Sequence, residues 1–510
     1  MNSKIFSATT VGIDSYLVEV EADLAYGLVN FYIVGLADKA IKESRDRIKA
    51  ALKNSGLRLP QKVITVNLAP ADLKKEGVLF DLPIAIAVLQ AGELIQLSKD
   101  FIDETIFLGE LSLDGSIRII KGVLSIAYNA SKNGKKRIII PKENVAEASL
   151  IDGLEIIGVD NLVDLLSFLR NESQITPTIG CSKNFHIKKN NFELDFEDVK
   201  GQMQAKRALQ IAAAGNHNIL FIGPPGSGKT MLAKRLSSIM PEMSFEEAIE
   251  TTKIYSICGK LKEGSIINNR PFRAPHHTIS QAGLVGGGSL PQPGEVSLAH
   301  NGVLFLDELT EFKRCTLEVL RQPLENKKVL ISRVNTAIEY PCSFLLIAAL
   351  NPCPCGFFGD KTKKCNCTEK QITQYLGKLS GPLLDRIDLH VNVPAIKYDE
   401  LKSSAQNELN SSQIYENVKK TIEVQKQRQG HKKNALLKTD EIDKYCGLEK
   451  DAEDILKKAF DFLNLSMRGY HKILKIGRTI ADIENSELIS KKHIQEAILY
   501  RSFDKVFTNK

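Results

Sequence analysis

Apolar residues fall in short bursts over the first 170 positions. Val63-Ile-Thr-Val-Asn-Leu68 and Arg137-Ile-Ile-Ile140 are β-branched runs that predict strands. Lys39 to Leu52 and Leu82 to Ala91 instead repeat their apolar positions every three or four residues, which predicts helices. Residues 1–170 therefore read as a compact α/β domain. From 171 to 192 the chain turns polar, with Pro177, Gly180 and Lys188-Lys-Asn-Asn191, as an exposed linker does. Over 193–396 strand-like runs alternate with helical ones and glycine-rich loops, the pattern of a parallel sheet flanked by helices. Residues 397–510 are rich in Lys, Glu and Leu at helical spacing, as in Ala452–Leu463 and His493–Tyr500, and predict a helical lid.

Three of the central bursts end in polar residues with chemical consequences. Asn218-Ile-Leu-Phe-Ile222 runs into Gly223, Pro224, Pro225, Gly226, Ser227, Gly228, Lys229 and Thr230, and Met231 continues into a helical pattern. A strand, a glycine loop and a helix start in that order form a phosphate cradle. Glycines let backbone N–H groups converge, the helix terminus adds partial positive charge, Lys229 reaches the β and γ phosphates, and Thr230 ligates magnesium. ATP and Mg2+ are the expected ligands. Gly302-Val-Leu-Phe-Leu306 ends in Asp307 and Glu308, at the sheet edge where such folds bind ligands. Asp307 is expected to hold magnesium and Glu308 to polarise the attacking water. Phe344 to Leu350 ends at Asn351, which either orients water against the γ-phosphate or simply turns the chain.

With 43% hydrophobic and 25% charged residues in 510, the composition is that of a multi-domain globular protein. No apolar run reaches the length of a membrane span, and the first residues lack a signal-peptide pattern, so a cytoplasmic protein is expected. The net charge of +7 suits a polyanionic partner but is modest for this length. Of nine cysteines, Cys353, Cys355, Cys365 and Cys367 form two CxC pairs. They read either as a structural Zn2+ site or as four reduced thiols.

Gly223–Thr230, Asp307-Glu308, Asn351-Pro352, Leu384-Asp-Arg-Ile-Asp388 and Leu465-Ser-Met-Arg-Gly469 together resemble the magnesium-chelatase-like branch of AAA+ ATPases, and within it the ComM/YifB family. The resemblance extends over nearly the whole chain. It includes Asn67-Leu-Ala-Pro-Ala-Asp72, Asp81-Leu-Pro-Ile-Ala85, Phe272-Arg-Ala-Pro-His-His277 and Asn351-Pro-Cys-Pro-Cys-Gly356. It implies that Arg386 is an arginine finger given to a neighbouring subunit and that Arg468 is the second sensor, acting within or between subunits. The alternative for Arg386 is a local ion pair with Asp385 or Asp388, which flank it. The resemblance also implies a homo-oligomer, a hexameric ring, and an ATP-driven translocase or helicase on single-stranded, forked or branched DNA. Branch migration of recombination intermediates in natural transformation is the implied task.

The region 270–300 resembles the insert that this branch directs into the ring pore. Arg273, Gly286, Gly287 and Gly288 there, with Lys327, Lys328 and Arg333 on an expected hairpin, are candidate DNA contacts; short basic runs are also common as solvated surface. His276 and His277 are expected to point apart and to hold no metal. The segment around Gly109–Gly115 with Lys136–Asn144 resembles the Lon-protease fold. Asp81 and Leu124 fall where a Lon peptidase carries its serine and lysine, so an assembly or DNA-binding module is expected there. A metal-insertion motor and a ring that only binds nucleotide are the alternative functions.

Overall fold

In the computed structural model, strands Asn2–Val11 (β1) and Asp14–Ala25 (β2) pair antiparallel, with Ile5 opposite Val20. The structure describes residues 2–73, 75, 77–181, 194–261, 266–288, 291–333, 336–360, 363–395, 410–463 and 465–501, apart from the side chains of 333, 336 and 463. Residues 182–192 of the expected linker, among them Lys188–Asn191, and 397–409 and 502–510 of the expected lid lie outside these, as does the side chain of Arg333.

The chain packs as two units, Met1–Ile187 with Phe245–Ile267, and Lys188–Ser244 with Asn268–Lys510. In the first, Asn30–Val34 (β3), Val63–Ala69 (β4), Thr105–Phe107 (β5), Arg137–Pro141 (β6), Glu155–Val159 (β7) and Thr178–Ile179 (β8) complete an eight-stranded mixed sheet in the order β8-β7-β6-β5-β1-β2-β4-β3. Helix Lys39–Asn54 (α1) starts where Asp38 accepts the Ile41 N–H at 2.8 Å, and it buries Ile41, Ile48 and Leu52. Helix Asp81–Ala91 (α2) is buried at every position but Gln90, which its continuous apolar run requires. Its first residue, Asp81, is clamped by Arg47 at 2.7 and 2.9 Å and takes the Leu111 N–H at 3.2 Å. Burial pushes the Asp81 carboxyl upward, against the pull of Arg47. Leu124, in helix Val123–Lys132 (α3), is buried and donates its N–H to Glu147 at 3.0 Å.

The segment 245–267 belongs to this unit although it follows the glycine loop in sequence. Ser256, on helix Phe245–Ile257, donates to the buried Glu147 and accepts the Gly122 N–H at 3.1 Å, and the Lys253 ammonium lies 3.9 Å from the Tyr128 ring centre.

The second unit holds a five-stranded, all-parallel sheet. Its strands are Ile219–Ile222 (β9), Phe272–Arg273 (β10), Val303–Leu306 (β11), Leu345–Leu350 (β14) and Leu389–Asn392 (β15), in the order β10-β11-β14-β9-β15. Between β11 and β14 the chain makes the hairpin Lys328–Arg333 (β12) and Thr336–Pro341 (β13). Every residue of β9, β11 and β14 is buried, as a parallel sheet covered on both faces demands. Helices Met203–Gly215 (α4) and Lys229–Ile239 (α5) flank it, and Arg321–Asn326 (α6) precedes the hairpin. Helices Ser411–Gln429 (α7), Met467–Ile483 (α8) and Lys491–Leu499 (α9) form the C-terminal helical region with Thr439–Tyr445 and Lys450–Leu463. Its polar centre is Asp482, fully buried and bonded by Arg428 at 2.5 and 2.8 Å, Arg478 at 2.9 Å and Asn434 at 2.8 Å.

Candidate nucleotide site

The turn from β9 into α5 depends on residues without a side chain. Gly226 and Gly228 have φ of 77° and 90°, where any other residue is strained, and a Cβ on Gly223 would lie 2.1 Å from the Val393 carbonyl oxygen. The Lys229 ammonium folds back into the loop and donates to the Gly223 carbonyl at 2.7 Å, the Pro224 carbonyl at 2.8 Å and Asn351 Oδ1 at 3.2 Å. Burial lowers its pKa, with Asp307 and Glu308 pulling the other way. Pro225 and Met231 are on the exposed side, while Ser227 is buried.

At the end of β11, Asp307 Oδ2 accepts the Thr230 hydroxyl at 2.7 Å, and its Oδ1 accepts the Glu308 N–H at 2.9 Å. A hydroxyl and a carboxylate this close are two hard oxygen donors, which fits Mg2+, an ion that takes few protein ligands beside water and phosphate. Glu308 has φ of 50°, a left-handed conformation that costs about 1 kcal/mol outside glycine, and its carboxylate is exposed. His277 Nδ1 lies 3.6 Å from Glu308 Oε2. The His276 and His277 rings are 4.1 Å apart, so the expectation that they point apart is corrected. Alternation holds for strands, and this pair sits in the loop after β10.

Asn351, ending β14, begins the loop that carries the four cysteines. Their sulfurs lie within 4.8 Å of one another, with separations of 3.3, 3.7 and 3.6 Å among Cys353, Cys355 and Cys365. Tetrahedral zinc with bonds of about 2.3 Å needs sulfurs ~3.8 Å apart, so the donor set fits Zn2+. Backbone N–H groups of Phe358 and Cys367 donate to Cys353 and Cys365 at 3.3 and 3.4 Å, as surrounding groups do for metal thiolates. This loop abuts the phosphate loop. A Cβ on Gly356 would lie 2.5 Å from Pro225 Cδ, and Pro354 lines the same cavity as Glu308 and Asn351.

Arg386 and Arg468 share a cleft of about 370 Å3 that Lys229, Thr230, Asp307, Glu308 and Asn351 do not line. Arg386 donates to the Pro382 carbonyl and to Glu325 on α6. Its ion-pair partner is thus Glu325 rather than Asp385 or Asp388, the local alternative that the sequence left open. Asp388 is engaged by Lys472 at 3.3 Å and His217 at 3.5 Å, and accepts the Asn218 N–H at 3.2 Å. Burial by itself would raise Asp388; Lys472, His217 and Arg501 outweigh it and hold the carboxyl well below the usual range. Sequence spacing could not reveal Glu325, which is brought in from 61 residues away.

The candidate DNA contacts separate. Arg273 is partly buried and paired through both arms with Glu295, at 2.6 and 2.8 Å, so that fork is already engaged. Gly286 and Gly287 form a small ribbon with Gln292 and Pro293, and a Cβ on Gly286 would meet Ile331 of β12 at 2.5 Å; close packing accounts for that glycine. Gly288 follows with φ of 106°. Lys328 is exposed on the hairpin and meets Glu339 at 2.7 Å. Lys327 turns instead into the Arg386 cleft.

Comparison with known proteins accords with this geometry. The family model "Magnesium chelatase, subunit ChlI" matches residues 195–401, "Subunit ChlI of Mg-chelatase" matches 20–144, and "Magnesium chelatase, subunit ChlI C-terminal" matches 408–501. The chain is 44% identical to competence protein ComM of Haemophilus influenzae over 502 residues, 98% of this chain and 97% of that protein. It is 42% identical to YifB of Escherichia coli over 507 residues, 99% and 98% of the two chains. Lon protease 2 of Bacillus subtilis is 30% identical over 182 residues, 31% of this chain and 33% of that protein. No described helix is long and apolar enough to cross a membrane.

Proposed function

The chain belongs to the magnesium-chelatase-like ComM/YifB family of AAA+ ATPases, and from that premise we propose that it is a ring-forming DNA translocase that promotes branch migration of recombination intermediates. The observation that carries the ring is the separation of its arginines from its phosphate loop. Arg386 and Arg468 line a cleft apart from Lys229 and Glu308, so one chain holds both halves of an ATP site without joining them. A second copy, with its cleft against the first copy's glycine loop, supplies the missing charges.

In that arrangement the loop amides and Lys229 bind the β and γ phosphates. Thr230 and Asp307 would hold Mg2+, which would supply positive charge against the phosphates. Glu308 accepts the proton of the attacking water, and Asn351 orients that water. Arg386 and Arg468 of the neighbour meet charge developing on the transferred phosphoryl group. Cys353, Cys355, Cys365 and Cys367 would hold a structural Zn2+, which would stiffen the loop after Asn351.

The Haemophilus influenzae relative is a competence protein, which supports DNA as the track, as do the net charge of +7 and the exposed Lys328 on the hairpin. ATP turnover measured with and without single-stranded or forked DNA, followed by strand displacement on a four-way junction, tests the reading. Stimulation and displacement are expected; ATPase activity indifferent to every DNA would sink it. That result would favour the second reading, a motor for metal insertion, which the magnesium chelatase family models motivate.

A further inference from the structure

The Arg386 cleft contains a cation that the ATPase reading does not use. Lys327 ends α6 with φ of 56°, a position where glycine or asparagine is the unstrained choice. Its backbone is fixed on both sides: the N–H donates to the Pro323 carbonyl at 3.0 Å, and its carbonyl accepts the Cys342 N–H at 2.9 Å. The side chain lines the cleft with Arg386, Arg468, Lys472 and Lys475.

Among the described residues the Lys327 ammonium has no hydrogen-bond or ion-pair partner. The nearby acids are engaged elsewhere, Glu325 by Arg386 and Asp388 by Lys472 and His217. The Cys342 thiol is pushed up to about 12 by burial and stays neutral. Burial lowers the Lys327 pKa, against the attraction of Asp388. Arg386 Nε is buried without a partner. A half-buried cation in a strained conformation beside a buried, unmatched donor marks a pocket shaped for an anion of high charge.

Resting on the ring reading above, we propose that Lys327 is a third residue given in trans, binding the triphosphate in the phosphate loop of the adjacent subunit together with Arg386 and Arg468. The αL position aims the side chain into the cleft, and the β12–β13 hairpin that begins one residue later shares its backbone. Nucleotide state in one subunit thereby bears directly on the hairpin of the next.

The test uses the full chain and exploits the backbone. Lys327→Gly relieves the left-handed strain, so its melting temperature should equal or exceed that of the wild type. Its kcat should nevertheless fall roughly tenfold to a hundredfold, the size of one hydrogen bond between charged groups, and Lys327→Arg should retain most activity. An equimolar mixture of Lys327→Gly with Lys229→Ala should turn over faster than either alone, because mixed rings contain interfaces where an intact loop meets an intact Lys327. Arg386→Ala mixed with Lys229→Ala is the reference. Full turnover by Lys327→Gly, or recovery in the Arg386 mixture but not in the Lys327 mixture, overturns this inference alone. Recovery in neither mixture overturns the ring reading with it.

Discussion

Lys229, Thr230, Asp307, Glu308 and Asn351 converge because three buried parallel strands end side by side, each delivering its last polar residue to one edge of the sheet. Removing the ammonium with Lys229→Ala should abolish ATP binding, read by a fluorescent nucleotide. Glu308→Gln keeps the backbone and its φ, so binding should survive while hydrolysis drops roughly 10²–10⁴-fold, the usual loss for a general base. Normal turnover in either variant would refute the assignment. Asp388 offers a pH test. Its folded pKa lies below the ordinary value of about 3.9, so its contribution is present above that pH and is lost as pH falls through the folded value. Asp388→Asn should cost about 3 kcal/mol near neutrality because the buried Lys472 loses its carboxylate partner and keeps only backbone carbonyls. That deficit should shrink below about pH 4; a deficit independent of pH would argue against the ion pair.

At the scale of elements, the cysteine loop and the phosphate loop are in van der Waals contact through Gly356 and Pro225. Gly356→Ala places a methyl against Pro225 at a φ of 85°, and should weaken ATP affinity by about 1–3 kcal/mol while the zinc content stays unchanged. Elemental analysis should find one zinc per chain, and chelation should weaken nucleotide binding as well as lower the melting temperature. Unaltered ATP affinity in metal-free protein would show that the two loops are not coupled. The insert and the hairpin behave differently from their composition. Arg273→Ala removes a bidentate partner of the half-buried Glu295 and should destabilise the protein; Lys328→Ala leaves packing intact and should reduce DNA affinity in proportion to one phosphate contact, with a shallower salt dependence.

For the molecule as a whole, the proposed division of the ATP site between copies would make activity a property of the assembly. Arg386→Ala should lower turnover about 10³-fold or more while ATP still binds, and specific activity of the wild type should rise with protein concentration through the assembly range. A monomer that hydrolyses ATP at full rate under all nucleotide and DNA conditions would remove the division of the site.

The local chemistry was fixed by the order of residues. Strand, glycine loop and helix form one continuous segment, so the phosphate cradle, the acidic strand end and Asn351 can be read by counting along the chain; the same holds for the long apolar runs of α2, β9 and β14. What joins distant segments could not be counted. Glu325 against Arg386, the paired rings of His276 and His277, Gly356 on Pro225, and the inclusion of 245–267 in the first unit all arise from packing of elements that are far apart in sequence or free of regular periodicity. Lys327 is the clearest case. Sequence offers one more surface lysine beside Lys328, whereas a left-handed backbone at the end of α6 places it in the cleft that Arg386 lines. A dihedral angle and a neighbouring fold, neither encoded by the residue's own type, decided which way its charge faces.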